Sequence, residues 1–344
     1  MPSQISGYIR QAVRKPEDKL NILTFPTHER YETGLCKTGH NFYAFHGQGI
    51  KTWNKNYAPV PKNYTLFDGN QPESSQIPPD IDFDLVLSQS RHAHYNVGRQ
   101  LATHLNIPLV TLEHCVPGGE WAARMVEQCK PMTGDIDVYI SDYSVNAWQV
   151  QDREDKNVVI YHGIDTDLFK QSTEYKEYDL LTVCNDMPGR PMEVGWGLWQ
   201  QAVQLLDKDN IKTHLVGDNK GISKAAKDVD ELVSYYNRSK IFFNTTLVST
   251  YPTTMLEAMA CGLPVITTST CAIPNIIQHG INGFLIDSPE DVPTYTKILL
   301  QDDSLMNSMS EAAKKTINDM FNMDRFVQQW DETLRRAANL CPER

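Results

Sequence analysis

Of the seven cysteines in this 344-residue chain, no two are spaced as CxxC, and their number is odd. Cys36, Cys115, Cys129, Cys184, Cys261, Cys271 and Cys341 are scattered, which argues against a zinc ribbon and against a disulfide framework and points to reduced thiols. No run of about 18 apolar residues is present, so no membrane-spanning helix is expected. The opening stretch, MPSQISGYIRQAVRKPEDKLNILTF, has no apolar core ahead of small residues, and a cytoplasmic location is the expectation. A basic excess is missing as well: the formal net charge of -11 disfavours nucleic acid as a partner. The one basic patch, Arg10, Arg14, Lys15 and Lys19, reads as a solvated helix face, with at most peripheral membrane contact.

What is present is globular. With 40% hydrophobic and 22% charged residues, the length suits two domains better than one. Strands are expected at 20–25, 41–46, 84–88, 108–113 and 137–141, with helices at 96–105 and 120–129. Residues 47–79, rich in Pro, Asn and Gln, read as a long loop with short elements. A second series follows, with strands at 179–183, 213–216 and 240–244 and helices at 196–206 and 228–236. Such alternation means parallel sheets with helices on both faces. Phe326, Trp330, Leu334 and Ala337 then recur at helical spacing.

The stretch 249–287, STYPTTMLEAMACGLPVITTSTCAIPNIIQHGINGFLID, is the most informative. Pro252 and Thr253 break a preceding strand, Thr254 and Glu257 have the Thr-x-x-Glu spacing of a helix start, Gly262 ends that helix, and PVIT is a short buried strand. A helix that opens beside the carboxyl end of a strand points unpaired N–H groups and the positive end of its dipole outward, which suits a phosphate.

LEAMACGLPVI followed by IPNIIQHGINGFLI resembles the donor-binding signature of glycosyltransferase family 4 (group 1). The resemblance implies an α/β GT-B fold, with two Rossmann-like domains whose parallel sheets face each other across a cleft. Residues 1–157 would bind the acceptor, 158–322 the nucleotide sugar, and a C-terminal helix in 323–344 would cross back to the first domain. The implied activity is a retaining, metal-independent transfer of a sugar from UDP- or GDP-sugar to a glycan or other hydroxyl acceptor, with no cofactor. The donor diphosphate would meet the helix start at Thr253, Thr254 and Met255 together with Arg190, in VCNDMPGRP, whose guanidinium grips two phosphate oxygens. Glu257 matches the carboxylate that takes the ribose hydroxyls, and it equally fits a helix cap with Thr254. His114, after PLVTLE, resembles the histidine near the reacting centre. THERY stands in place of a Gly-Gly loop and brings His28 and Glu29 to the acceptor side, Glu29 as a candidate base. His92 and His94, in SQSRHAH, are either acceptor-side hydrogen-bonding groups or a His-x-His pair without a third metal ligand nearby.

Two departures stand out. Ser249 replaces the first glutamate of the family's Glu-x7-Glu, the one that contacts the transferred sugar, and the lysine that usually follows the arginine is absent. Lys220, in VGDNKG, either supplies that charge or is a solvated loop lysine. A nucleotide-sugar-binding protein with weak or no transfer therefore stays open, as does an epimerase or phosphorylase on the same scaffold. The Asp-x-Asp pairs, Asp80/Asp82, Asp82/Asp84, Asp135/Asp137 and Asp165/Asp167, border strands or turns where Asp is common, and no metal is expected.

Overall fold

Leu85–Ser88 and Leu109–Glu113 are buried along their whole length, as strands covered by helices on both faces must be. They belong to a computed structural model that describes residues 9, 12–47, 49–72, 76 and 81–340. Arg10, Asp80 and Cys341 lie outside the described residues. The chain divides into two units. The first takes Met1–His114, Ala123–Tyr161 and Asp324–Arg344; the second takes Cys115–Ala122 and His162–Met323.

In the first unit, β1 (Asn21–Thr24), β2 (Asn41–His46), β3 (Tyr64–Asp68), β4 (Leu85–Ser88), β5 (Leu109–Glu113), β6 (Ile136–Tyr139) and β7 (Asn157–Val159) form a parallel sheet. The order among the described residues is β3-β2-β1-β4-β5-β6-β7. The chain runs outward from β1 to β3, then returns to place β4 on the other side of β1, so the connections part at the carboxyl ends of β1 and β4. β3 falls in the stretch expected to be loop; only Tyr64 and Phe67 of its five residues are buried, too weak a period to stand out among Pro and Asn. β7 pairs with β6 and carries the first unit to Tyr161, past the boundary expected at residue 157. Leu23, Phe25, Val86 and Leu109 pack with Ala102 of the helix Tyr95–Leu105.

The helix Met323–Ala338 packs on this unit through its apolar stripe. Phe326 and Trp330 stand edge-on to Tyr31, and Trp330 Nε1 donates to the Tyr31 hydroxyl at 3.0 Å. His40 Nε2 lies 3.0 Å from Asp331 Oδ1. Arg14 corrects the solvated-face reading of the basic patch: it is an ion-pair partner of buried Asp84, and its Nη1 donates to the Ala338 carbonyl at 3.2 Å.

In the second unit, β8 (Tyr178–Val183), β9 (Thr213–Val216), β10 (Ser239–Asn244), β11 (Val265–Thr268) and β12 (Gly283–Ile286) are parallel, in the order β12-β11-β10-β8-β9. Leu180, Ile241 and Ile266 of the sheet pack with Leu206, Leu299 and Met309 of covering helices. Here the connections part between β8 and β10. Crevices at such points are where open α/β sheets bind ligands.

The Asp-x-Asp carboxylates serve the backbone. Asp84 Oδ2 accepts from Asn21 N at 2.7 Å, Asp135 Oδ2 from Leu109 N at 2.8 Å, and Asp137 Oδ1 from Gly134 N at 2.7 Å. Among the described residues, no helix is long and apolar enough to cross a membrane.

Candidate active site

The helix Thr253–Ala260 is docked on the end of β8: Thr254 Oγ1 donates to the Val183 carbonyl at 3.1 Å. Its N-cap is Pro252, with no side-chain cap. The Thr-x-x-Glu spacing therefore makes no capping box, because Thr254 lies inside the helix and its hydroxyl is spent on β8. Met255 N already donates to the Pro252 carbonyl at 3.0 Å, which corrects its assignment as a free donor. The N–H groups of Thr253 and Thr254 have no partner among the described residues, and the helix dipole lies behind them.

Two loops meet at this parting. Leu247 N and Val248 N donate to the Glu193 carbonyl at 2.7 and 2.9 Å, and Thr245 Oγ1 donates to the Val194 carbonyl at 2.7 Å. Gly195 (φ +67°) passes so close to Thr245 that a Cβ would lie 2.1 Å from its carbonyl oxygen. Arg190, half exposed, is held on the loop after β8: its Nη2 donates to the Asn185 carbonyl at 2.7 Å, and Glu193 lies 3.7 Å from its Nη1. Buried Asn219 props this loop by accepting from Met187 N at 2.7 Å and donating to the Cys184 carbonyl at 2.8 Å. In VGDNKG the notable charge was Lys220, which is exposed; the structural role falls to the asparagine beside it. Ser249 is partly exposed on the loop that leads to the helix. Glu257 is 1% exposed, and its Oε2 accepts from the Tyr236 hydroxyl at 2.8 Å, a more enclosed position than a waiting ribose ligand suggests.

The first unit has its own parting, between β1 and β4. Glu32, missed in the sequence, organises the loop after β1. Its Oε1 accepts from Thr27 N at 2.6 Å and His28 N at 3.0 Å, and its other oxygen takes the Tyr64 hydroxyl. Burial raises the Glu32 pKa from 4.5 to about 7 against the lowering effect of those donors. Gln89 Nε2 ties the same loop to β4 through Thr24 Oγ1 at 3.0 Å. His28 caps the helix Glu29–Cys36 by accepting from Tyr31 N at 3.4 Å, and its ring lies 6.4 Å from that of His114, nearly parallel. The structure thus brings together two residues singled out separately.

His92 and His94 diverge. His92 is exposed and its Nε2 approaches Cys129 Sγ at 3.5 Å. His94 is buried, stacked on Phe25 at 5.0 Å, with Nδ1 3.5 Å from Thr27 Oγ1. Burial, aided by Lys51, lowers its pKa to about 4. Glu29 is buried and accepts from Asn54 N at 2.9 Å, with Lys51 3.7 Å away as its ion-pair partner. No cluster of three His, Cys, Asp or Glu suited to a metal occurs among the described residues. Thr27, Lys51, His94 and Val97 line a 440 Å³ cavity in this unit.

Residues 200–316 match the sequence profile of a family described as glycosyl transferases group 1. Over that stretch the chain is similar to the group. Among curated proteins, the chain is 37% identical over 79 residues to N-acetyl-alpha-D-glucosaminyl L-malate synthase of Bacillus anthracis, covering 22% of this chain and 21% of that protein. It spans a fifth to a third of the first curated relatives it matches. Among solved structures, Anabaena Alr3699/HepE in complex with UDP-glucose aligns with a TM-score of 0.67 at 16% identity, covering 92% of this chain and 99% of that one. Sucrose-phosphate synthase from Thermosynechococcus elongatus aligns with a TM-score of 0.71 at 12% identity over the same shares. These likenesses establish the α/β fold of two parallel-sheet units expected for GT-B.

Proposed function

We propose that this chain is a retaining, metal-independent glycosyltransferase that moves a sugar from a UDP- or GDP-sugar to a hydroxyl acceptor. The observation that carries the reading is the docking of Thr254 on Val183, which fixes a helix start to the end of β8, the strand whose following loop carries Arg190. The N–H groups of Thr253 and Thr254, with Arg190, are suited to a diphosphate that gains negative charge as it leaves. The UDP-glucose held by Alr3699/HepE supports a uridine donor. In the step itself, the bond from the sugar's anomeric carbon to the phosphate oxygen breaks and a bond to the acceptor oxygen forms on the same face. The acceptor's proton passes to the departing phosphate oxygen. His114 contacts the donor sugar, and His28 and His94 serve the acceptor side. The cytoplasm is the proposed location.

The test is thermal stabilisation by UDP and GDP, followed by hydrolysis of their sugars with and without EDTA and assignment of the product anomer by NMR. An inverted anomer refutes retention, and loss of activity in EDTA refutes metal independence. Ser249 favours a second reading, a binding protein with little transfer; stabilisation by a nucleotide with no turnover on any acceptor supports it over the first.

A further inference from the structure

The cavity in the first unit has a chemical bias that the donor site does not explain. At 440 Å³ it is of the size that encloses one small molecule. Phe45, Ile50 and Val97 make an apolar wall. Among the described residues, Lys51 is the one charged residue in the lining. Its Nζ lies 3.7 Å from Glu29 Oε1, beyond hydrogen-bond reach, and that oxygen already accepts from Asn54 N at 2.9 Å. Lys51 is thus ion-paired with Glu29 without a hydrogen bond to it, and its exposed ammonium keeps N–H donors for a ligand that enters. His94, with Thr27 beside its Nδ1, adds a hydrogen-bonding group that burial keeps uncharged at pH 7.

We propose that the cavity takes the acceptor as a small hydroxylated anion, its carboxylate or phosphate on Lys51, its carbon skeleton against Phe45, Ile50 and Val97, and a hydroxyl at His94 and Thr27. The word acceptor rests on the transferase reading; the binding chemistry does not. An ammonium set against an apolar wall selects a ligand with one charged end, whereas a glycan would offer many neutral hydroxyls to a wall that cannot pair them.

Calorimetric titration of the full chain without nucleotide, using glycerate, glycerol 3-phosphate and glycerol, separates the cases because the three share a skeleton. The expected result is that at least one anion binds about tenfold or more tighter than glycerol, the size of one charge-assisted contact. Whichever anion binds more tightly identifies the charged group. Lys51→Gln should erase the difference, and Val97→Trp, at a position 37% exposed and so tolerant of bulk, should block the cavity. Glycerol binding as tightly as both anions, or an anion preference that survives either substitution, overturns the proposal. Stabilisation by UDP or GDP is measured on the same protein. Nucleotide binding without the anion preference sinks this inference alone, and the anion preference without nucleotide binding sinks the donor reading alone.

Discussion

Thr254 and Val183 are joined side chain to backbone at 3.1 Å across 71 residues of sequence, and through that bond a helix start becomes part of the end of a strand. A threonine hydroxyl that might have capped its own helix instead fixes the helix to the sheet. The unpaired N–H groups are thereby held in place before any ligand arrives, which is how a site avoids reorganising during reaction.

Arg190 is held by one carbonyl and by a carboxylate too distant for a hydrogen bond, so its guanidinium retains donors for two phosphate oxygens. Arg190→Ala should lower kcat/KM for the nucleotide sugar by about a hundredfold or more, the scale of a lost donor to developing charge, while the melting temperature hardly moves. Retention of more than about a tenth of the activity would remove Arg190 from the phosphate site.

Glu32 makes the loop after β1 sensitive to pH. Its folded pKa of about 7 lies above the ordinary 4.5, so between those values the native state keeps a proton that the unfolded chain has released. The unfolded state binds fewer protons there, and stability falls as pH rises from 4.5 to 7, then holds its full loss above. Glu32→Gln keeps an oxygen for Thr27 N and His28 N but cannot ionise. Thermal melts at pH 4.5 and 8 should show a smaller drop for the variant than for the parent. Equal drops would mean that Glu32 ionises normally.

Much of the fold was legible because its strands are short apolar runs. β2 and β9 have the expected bounds, and the helix Met323–Ala338 follows the stripe of Phe326, Trp330, Leu334 and Ala337. β3 was not legible, since an edge strand with two buried residues leaves little period. At the site, the helix start near Thr253 could be read from the local spacing, although the capping box that spacing implied does not form. Glu32, Gln89 and Asn219 could not: Gln89 and Asn219 act on segments distant in sequence, Glu32 is joined to Tyr64 of a separate strand, and a buried polar residue carries no pattern before its partner is known.

Glu257 and Tyr236 divide structure from binding. Glu257→Gln leaves an oxygen for the Tyr236 hydroxyl but offers ribose hydroxyls a neutral amide, so nucleotide affinity should weaken about tenfold with stability nearly unchanged. Tyr236→Phe removes one hydroxyl donor from a buried carboxylate and should cost about 1–3 kcal/mol of stability, with a smaller effect on the nucleotide. Denaturant titration and nucleotide titration of both variants check the pair. Unchanged affinity in Glu257→Gln would make that glutamate purely structural.

Ser249 stands where the resemblance leads one to expect a glutamate, and its hydroxyl offers at most neutral hydrogen bonds where a carboxylate would offer charge-assisted ones. It is partly exposed on the loop that β10 sends toward the helix, so a longer side chain can be housed there without entering the core. Ser249→Glu should therefore fold as the parent does and change which nucleotide sugar is hydrolysed fastest, leaving stabilisation by the free nucleotide diphosphate about the same. That split follows from the proposed site, in which the diphosphate would meet Thr253, Thr254 and Arg190, whereas residue 249 would meet only the sugar. A panel of UDP- and GDP-sugars assayed against both proteins reads it. An identical donor ranking would show that residue 249 does not face the sugar, and the serine would then carry no information about what this chain transfers.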